Sequence, residues 1–372
     1  MEEHPITSVL KFFFLSLLAL VALLSTGLLY RMYEQNRVVD LTKITTPGGI
    51  DLLGNVPLGG EEQWVLIRGQ RQTNPVLLYL HGGPGSFVIP RARDFGLKLE
   101  EDFVVVYWDQ LGSGKSYRPG LTPNEMNVDR FVSDTKELVD VLKRRFNVPK
   151  IYLAGNSWGS ALGMMVAERY PESFYAVIGT GQLVNTARAE SLSYEFTLRE
   201  ARNTNNREAL RELNEMGPPP WNYLTMNKQR KWLRRFGGTI YEEREAAGSF
   251  LSDFMGKMLL SPEYTLLEIL EISADPNFAV RNLWTDLGQI NLFETVPRIQ
   301  VPVYFIAGRH DFNTPSELVK KYYEQLEAPA GKHIIWFEDA AHMPEFEKPD
   351  QFHRVLVDSV LAQTYPHYAF TP

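Results

Sequence analysis

The 372-residue chain contains no cysteine. That absence excludes disulfides, thiolate metal sites and a cysteine nucleophile, and leaves the compartment open. A basic excess is also missing: 38 Lys and Arg stand against 45 Asp and Glu, a net charge of -7. A surface built to hold nucleic-acid phosphates normally carries the opposite balance, so no nucleic-acid partner is expected. Internal repeats and long low-complexity tracts are lacking, which sets aside solenoids and disordered arrays. A P-loop is lacking as well, although "WDQLGSGKS" at residues 108–116 ends as one does. A phosphate cradle needs a glycine five positions before the glycine of its Gly-Lys-Ser. Counting back from Gly114 reaches Asp109, a carboxylate that would repel the phosphates.

What is present is ordinary for a globular protein: 44% hydrophobic and 22% charged residues, with seven Trp and 21 Phe to build a core. The length suits two or three domains, or one large α/β domain with an insertion. The N-terminus is less ordinary. From Phe12 to Tyr30, "FFFLSLLALVALLSTGLLY" carries no charge. As a helix it would reach about 28 Å, close to the hydrocarbon thickness of a bilayer. An uncleaved single-pass anchor is the leading reading, ahead of a cleaved signal peptide, for which Ser25 and Gly27 offer only a poor substitute for a clean Ala-x-Ala site, and of a buried core helix. Lys11 lies on one side and Arg31, Arg37 and Lys43 on the other, which slightly favours a cytoplasmic C-terminal body.

Residues 31 to about 60 are polar and glycine-rich and read as a stalk. Short apolar runs follow, among them "QWVLIRG" at 63, "PVLLYL" at 75, "FVVVYW" at 103 and "KIYLAG" at 150; "FYAVIGTG", "VPVYFIAG" and "HIIWFE" come at 174, 301 and 333. Several are apolar at nearly every position, as strands covered on both faces of a parallel sheet should be. Amphipathic helical stretches separate them, such as "DRFVSDTKELVDVLKRRF". Together they predict a three-layer α/β domain, a mostly parallel sheet with helices on both faces. Between about 185 and 295 the alternation stops and the pattern is helical, as an inserted lid would be. The expected division is 1–40 for anchor (helix about 12–30) and stalk, 41–184 and 296–372 for the sheet domain, and 185–295 for the lid.

The chemistry centres on "LAGNSWGSALG". Gly155-x-Ser157-x-Gly159 lies between a strand and a helix, the context in which a serine is thrust out as a nucleophile on a sharp turn. A serine hydroxyl needs a base, and the base an orienting acid. With the nucleophile on such a turn the acid and then the histidine follow in the chain. His342, in a loop just after "HIIWFE", is the expected base; His333 and His353 read as structural. Asp311, just past "VPVYFIAG", is the expected acid, with Asp339 as its rival and His310 as a packing or rim residue. The N–H of Trp158 and that of Gly83, in "YLHGGPGS", are the expected oxyanion donors. His81, which opens that loop, reads as its organiser.

"HGGPG", "DQLGSGKS", "GNSWGS", "GRHD" and the late loop histidine together resemble the prolyl aminopeptidase (proline iminopeptidase) group of α/β-hydrolases, over roughly residues 60 to 365. Arginine is usual in that group where this chain has Leu111. The resemblance implies an α/β-hydrolase fold with a helical lid, and "DQLGSGKS" shaping the active-site wall with Lys115 and Ser116 as surface or packing residues. It also implies acidic lid residues that bind the free amine of an N-terminal proline, commonly in a Trp-Glu pair. No Trp-Glu occurs in this lid. Glu195, Glu200, Glu242, Glu243 and Glu268 are the candidates, and the substrate-binding residues stay unassigned. The expectation is an amide- or ester-cleaving serine hydrolase, first an aminopeptidase acting on short peptides. An esterase, lactonase or thioesterase is the alternative, and a binding protein without turnover is a third. Aspartate at 157 would have pointed to epoxide hydrolases or dehalogenases. No metal or cofactor is expected, and the sequence leaves the oligomeric state open.

Overall fold

A computed structural model of the chain describes residues 5–241 and 249–366. All seven apolar runs lie in one eight-stranded sheet: β1 (Ile50–Leu58), β2 (Glu61–Gly69), β3 (Val76–Leu80), β4 (Val104–Trp108), β5 (Ile151–Asn156), β6 (Phe174–Thr180), β7 (Val303–Gly308) and β8 (Lys332–Phe337). Their order is β1-β2-β4-β3-β5-β6-β7-β8. The first two pairings are antiparallel and the other five parallel. Every residue of β3, β4, β5 and β7 is buried. Their two-residue period then sorts side chains between two cores. Leu78, Leu80, Val104, Val106 and Leu153 pack with the helices Val128–Phe146 and Trp158–Arg169. Leu77, Tyr79, Val105, Tyr107 and Tyr152 pack on the other face with Phe95, Phe352 and Leu356. The fold is the helix-covered, mostly parallel sheet that the sequence predicted.

The strand absent from the sequence reading is β1. Its "IDLLGNVPL" holds Gly54, Asn55 and Pro57, and half of it faces solvent. An edge strand with one neighbour tolerates such residues, because Pro57 needs no second ladder. Gly59 and Gly60, both at positive φ, form the two-residue turn into β2. The chain before it also departs from expectation. The N-terminal helix runs over Pro5–Leu41, so residues 31–41 continue the helix instead of forming a stalk. Arg31, Glu34, Gln35 and Val38 are partly covered while their neighbours are exposed, a helical spacing that lays one face on the body. Arg31 Nε donates to Leu259 O at 2.8 Å and Gln35 Nε2 to Ser261 O at 2.7 Å.

Between β6 and β7 the described chain forms helices only, tied at its base by a bridge between Asn185 and Asn291. The first three, Thr186–Asn203, Arg207–Met216 and Tyr223–Arg235, share a separate core around Trp232, Phe196 and Leu213. Phe312 stacks on Phe196 with ring centroids 3.8 Å apart, joining this core to the loop after β7.

Candidate active site

Turns at the C-terminal ends of the parallel strands β5, β7 and β8 carry the candidate residues, at the sheet edge where ligand sites in open α/β sheets lie. The turn after β5 holds Ser157 at φ 54 and ψ -120, a conformation a non-glycine residue adopts only under tertiary constraint. The flanking glycines explain how it is held. A Cβ on Gly155 would lie 2.3 Å from Gly159 O, and one on Gly159 would lie 2.1 Å from Leu80 O. Close packing of helix on strand therefore depends on both. Ser157 N–H donates to Thr180 O at 3.0 Å, anchoring the turn to β6. Its side chain is partly exposed and makes no capping bond to its own helix.

The turn after β7 carries Asp311, which is buried. Its Oδ1 accepts from the N–H of Asn313 (2.8 Å) and of Thr314 (2.9 Å), and its Oδ2 from Thr314 Oγ1 (2.9 Å). His342 Nδ1, from the loop after β8, lies 3.0 Å from the same Oδ2. Asn313 Nδ2 stands 2.9 Å from His342 Nε2. With Nδ1–H donating to the carboxylate and Nε2 accepting, both bonds fit a single neutral tautomer. The histidine loop is pinned through its backbone: His342 N–H donates to Thr239 O and Asn156 Nδ2 donates to His342 O, each at 3.0 Å. A Cβ on Gly181 would meet His342 Nδ1 at 2.8 Å, so that glycine gives the imidazole its room. Asn156, Gly181, Asn313 and Thr314 were not found from the sequence. Each works through a neighbour distant in the chain, which no local spacing encodes.

Asp339, the rival acid, is exposed. His310 stacks on Tyr241, His333 stacks on Tyr304, and His353 Nε2 pairs with Asp102 at 2.8 Å. His81 is fully buried, and burial pushes its pKa down to about 4, so it is neutral. Its Nδ1 bonds Gly82 O, and its Nε2 accepts from the backbone N–H of Gln110. Gln110 in turn donates to His81 O and accepts from the Trp158 indole. The glycine-rich loop, the loop after β4 and the nucleophile helix are locked together through these bonds. Gly83 sits at φ +106, and a Cβ there would come within 2.6 Å of Gly85 N and 2.8 Å of Ser86 N. Trp158 is the first residue of its helix, so its N–H is among those a helix leaves without an internal acceptor.

A cavity of about 530 Å³ opens beside Asn156, Gly82, Thr239 and Met343. Its walls are largely apolar, with Phe87, Phe254, Ile272 and Phe278 among them and Asp275 as an acidic member. Asp275 already binds Arg281 through both carboxylate oxygens. Among the described residues, the candidate amine-binding glutamates do not line it: Glu195 is exposed, Glu200 faces Arg199, and Glu268 caps its helix and binds Lys115. Glu242 and Glu243 lie outside the described residues.

The "DQLGSGKS" loop is a structural device. Asp109 Oδ2 accepts from Lys115 N–H at 2.8 Å and from the Tyr264 hydroxyl. Ser116 Oγ donates to Asp109 O at 2.5 Å and accepts from Trp64 N–H. Lys115 is not a surface residue: its ammonium bonds Glu268 at 2.5 Å and lies 4.5 Å from the Trp64 ring centroid. Leu111 is buried in the main core. Burial raises the Asp109 pKa to about 7, and Glu345, beneath the histidine loop and bonded to the Tyr79 hydroxyl, is raised to about 7 for the same reason.

The model of the alpha/beta hydrolase fold family matches residues 75–349. Among curated proteins, the chain is 34% identical over 310 residues to a Bacillus subtilis protein named "Probable aminopeptidase YbaC", covering 82% of this chain and 95% of that one. A proline iminopeptidase of Heyndrickxia coagulans is 28% identical over 298 residues, 76% of this chain and 89% of the relative. The crystal structure of a proline iminopeptidase-related protein from Thermus thermophilus superposes with a TM-score of 0.60, covering 85% of this chain and 99% of that one at 22% identity. Sheet, elbow and sequence agree: the chain belongs to the α/β-hydrolase family.

Proposed function

We propose that the chain is a serine hydrolase that cleaves amides through an acyl-enzyme, as an aminopeptidase releasing N-terminal proline or a small neutral residue. One observation carries the proposal: Ser157 is held at φ 54 at the end of β5, and Asn156, the residue before it, donates to the backbone of His342, which is itself bonded to Asp311 at 3.0 Å. In this reading Ser157 Oγ attacks the carbonyl carbon while His342 Nε2 takes its proton. His342 then gives that proton to the leaving nitrogen as the C–N bond breaks. Water, giving a proton to His342 Nε2, then attacks the acyl ester, and that proton passes to Ser157 Oγ as the ester bond breaks and the acid leaves. Asp311 holds the imidazole and supports its charge, and the N–H groups of Trp158 and Gly83 stabilise the oxyanion. Asn313 now occupies Nε2, so the reacting state exchanges that partner for the serine hydroxyl.

The names of the curated relatives support a peptide substrate over an ester. Peptide scope is tested by offering proline p-nitroanilide, alanine p-nitroanilide and a short-chain p-nitrophenyl ester to wild type and Ser157→Ala. Serine-dependent turnover of the amides is expected; turnover of the ester alone would retire the aminopeptidase reading in favour of an esterase. The N-terminal helix supports a second element of the proposal, a single-pass anchor, since Leu10 to Tyr30 is exposed along its whole length. Alkaline carbonate extraction should leave the full chain in the membrane pellet.

A further inference from the structure

Where the apolar run of the N-terminal helix ends, the lid begins. Arg31, the first charged residue after Tyr30, donates through Nε to Leu259 O at 2.8 Å and through a terminal nitrogen to Tyr264 O at 2.5 Å. Gln35 reaches Ser261 O. These acceptors cap or follow the lid helix Ser249–Leu260 and precede the lid helix Leu266–Ala274. On the outer faces of those two helices, large apolar side chains point to solvent: Leu267 and Leu270 are 66% and 67% exposed, Leu259 46%, Met255 45% and Leu266 40%. Leu259 is thus both a member of the patch and an anchor point for Arg31. Tyr30 and Tyr33, also exposed, flank that arginine, where interfacial aromatics belong.

The inner faces of the same helices wall the cavity. Phe254, Met258 and Ile272 line it, and Met255 does so while remaining half exposed, so it marks the mouth. Soluble proteins rarely leave contiguous apolar patches uncovered. Here the anchor stands at the edge of the patch and brings a covering surface with it. We infer that this face of the lid rests on the bilayer that holds the N-terminal helix, with Leu259, Leu266, Leu267 and Leu270 sunk into the headgroup–acyl boundary. The cavity mouth is thereby held at the lipid surface, which suits amphiphilic substrates whose apolar part lies in the membrane. This rests on the anchor reading above. The neighbouring carboxylates Glu268 and Glu271 disfavour anionic lipid, so the partner is a zwitterionic surface.

The absence of native cysteine makes single-site labelling clean. Four full-length variants, Leu20→Cys, Leu224→Cys, Leu267→Cys and Leu270→Cys, are labelled with bimane and reconstituted into phosphatidylcholine vesicles with or without bromines on the acyl chains. Leu20 reports the anchor. Leu224, also exposed, lies on the helix Tyr223–Arg235, which packs on the first two lid helices and serves as the solvent reference. Brominated lipid should quench the probes at 267 and 270 at least about half as strongly as at 20, and leave that at 224 unquenched. Quenching at 20 with none at 267 and 270 overturns the docking and leaves the anchor standing. No quenching at 20 removes the anchor, and the docking with it. Quenching at 224 equal to that at 267 also overturns the inference, because the contact would then not be specific to this face.

Discussion

Two glycine-rich turns follow strands of the same sheet, and their sequences look equally chemical. After β4 comes Asp109 to Ser116, with a Gly-Lys-Ser; after β5 comes Gly155 to Gly159, with a Gly-x-Ser-x-Gly. In the first, the side chains serve the fold: Asp109 is buried under Tyr264, Lys115 is bound to Glu268, and Ser116 bonds the backbone on both sides. In the second, Ser157 is pushed into a left-handed conformation, its backbone is tied to Thr180, and its side chain makes no capping bond. The side chains of one loop are tied to Tyr264, Glu268 and the backbone around them, while the other leaves its hydroxyl partly exposed. That difference, more than the letters, separates a structural turn from a chemical one.

The comparison can be broken most sharply at the two serines. Ser157→Ala should lower turnover at least about a thousandfold, as loss of a triad member does, with little change in thermal midpoint. Ser116→Ala should do the reverse, and equal kinetic losses in both would erase the distinction. Next in size is Gly159→Ala. Its Cβ would sit 2.1 Å from Leu80 O, a contact with backbone that no rotamer relieves. A destabilisation of about 3 kcal/mol by urea unfolding is expected; a neutral result would show that helix and strand can part without loss.

The buried carboxylate of the structural loop sharpens the contrast through pH. The Asp109 pKa rises from 3.8 to about 7 in the fold, because burial disfavours its charge. Folded protein then binds this proton more tightly than unfolded chain, so the contribution of Asp109 to stability is full below about pH 4 and is lost as pH rises through about 7. Glu345, raised to about 7, adds a loss of the same sign. Asp109→Asn should therefore lose about 2 kcal/mol less than wild type between pH 5 and pH 8 in urea unfolding. Parallel pH profiles would mean that the carboxylate is solvated. The smallest effect is expected from Lys115→Met. Removing the pair with the partly exposed Glu268 should cost about 1 kcal/mol and leave kcat unchanged. Binding of ATP by wild type, lost in the variant, would restore the phosphate reading.

Local pattern carried much of this molecule. The strands inside the sheet were legible because burial on both faces leaves them apolar at nearly every position, and the half-covered edge strand β8 because its "HIIWF" is still an apolar run; β1 was not, because its solvent-facing edge tolerates Gly54, Asn55 and Pro57. The serine turn was legible because its requirements, glycines two residues either side and strand then helix, are met within a few positions. The acidic lid residues were misleading, because a glutamate on a helix reads the same whether it faces a cavity, solvent or Lys115. The continuation of the N-terminal helix through residues 31–41 was hidden for a related reason. Its polar composition suggests a stalk until the lid supplies carbonyl acceptors for Arg31 and Gln35.

By itself, then, the sequence determined what depends on neighbours in the chain: the helix-covered parallel sheet, the strand–turn–helix elbow around Ser157, and an apolar segment long enough to cross a bilayer. Tertiary structure alone decided what depends on approach between distant segments. It brought Asp311, and not the exposed Asp339, to His342. It consumed Lys115 in an ion pair, left the cavity largely apolar, and laid the end of the N-terminal helix against the lid. Hydrogen bonds and burial are properties of pairs in space, and a one-dimensional pattern records only the partners that happen to be close along it.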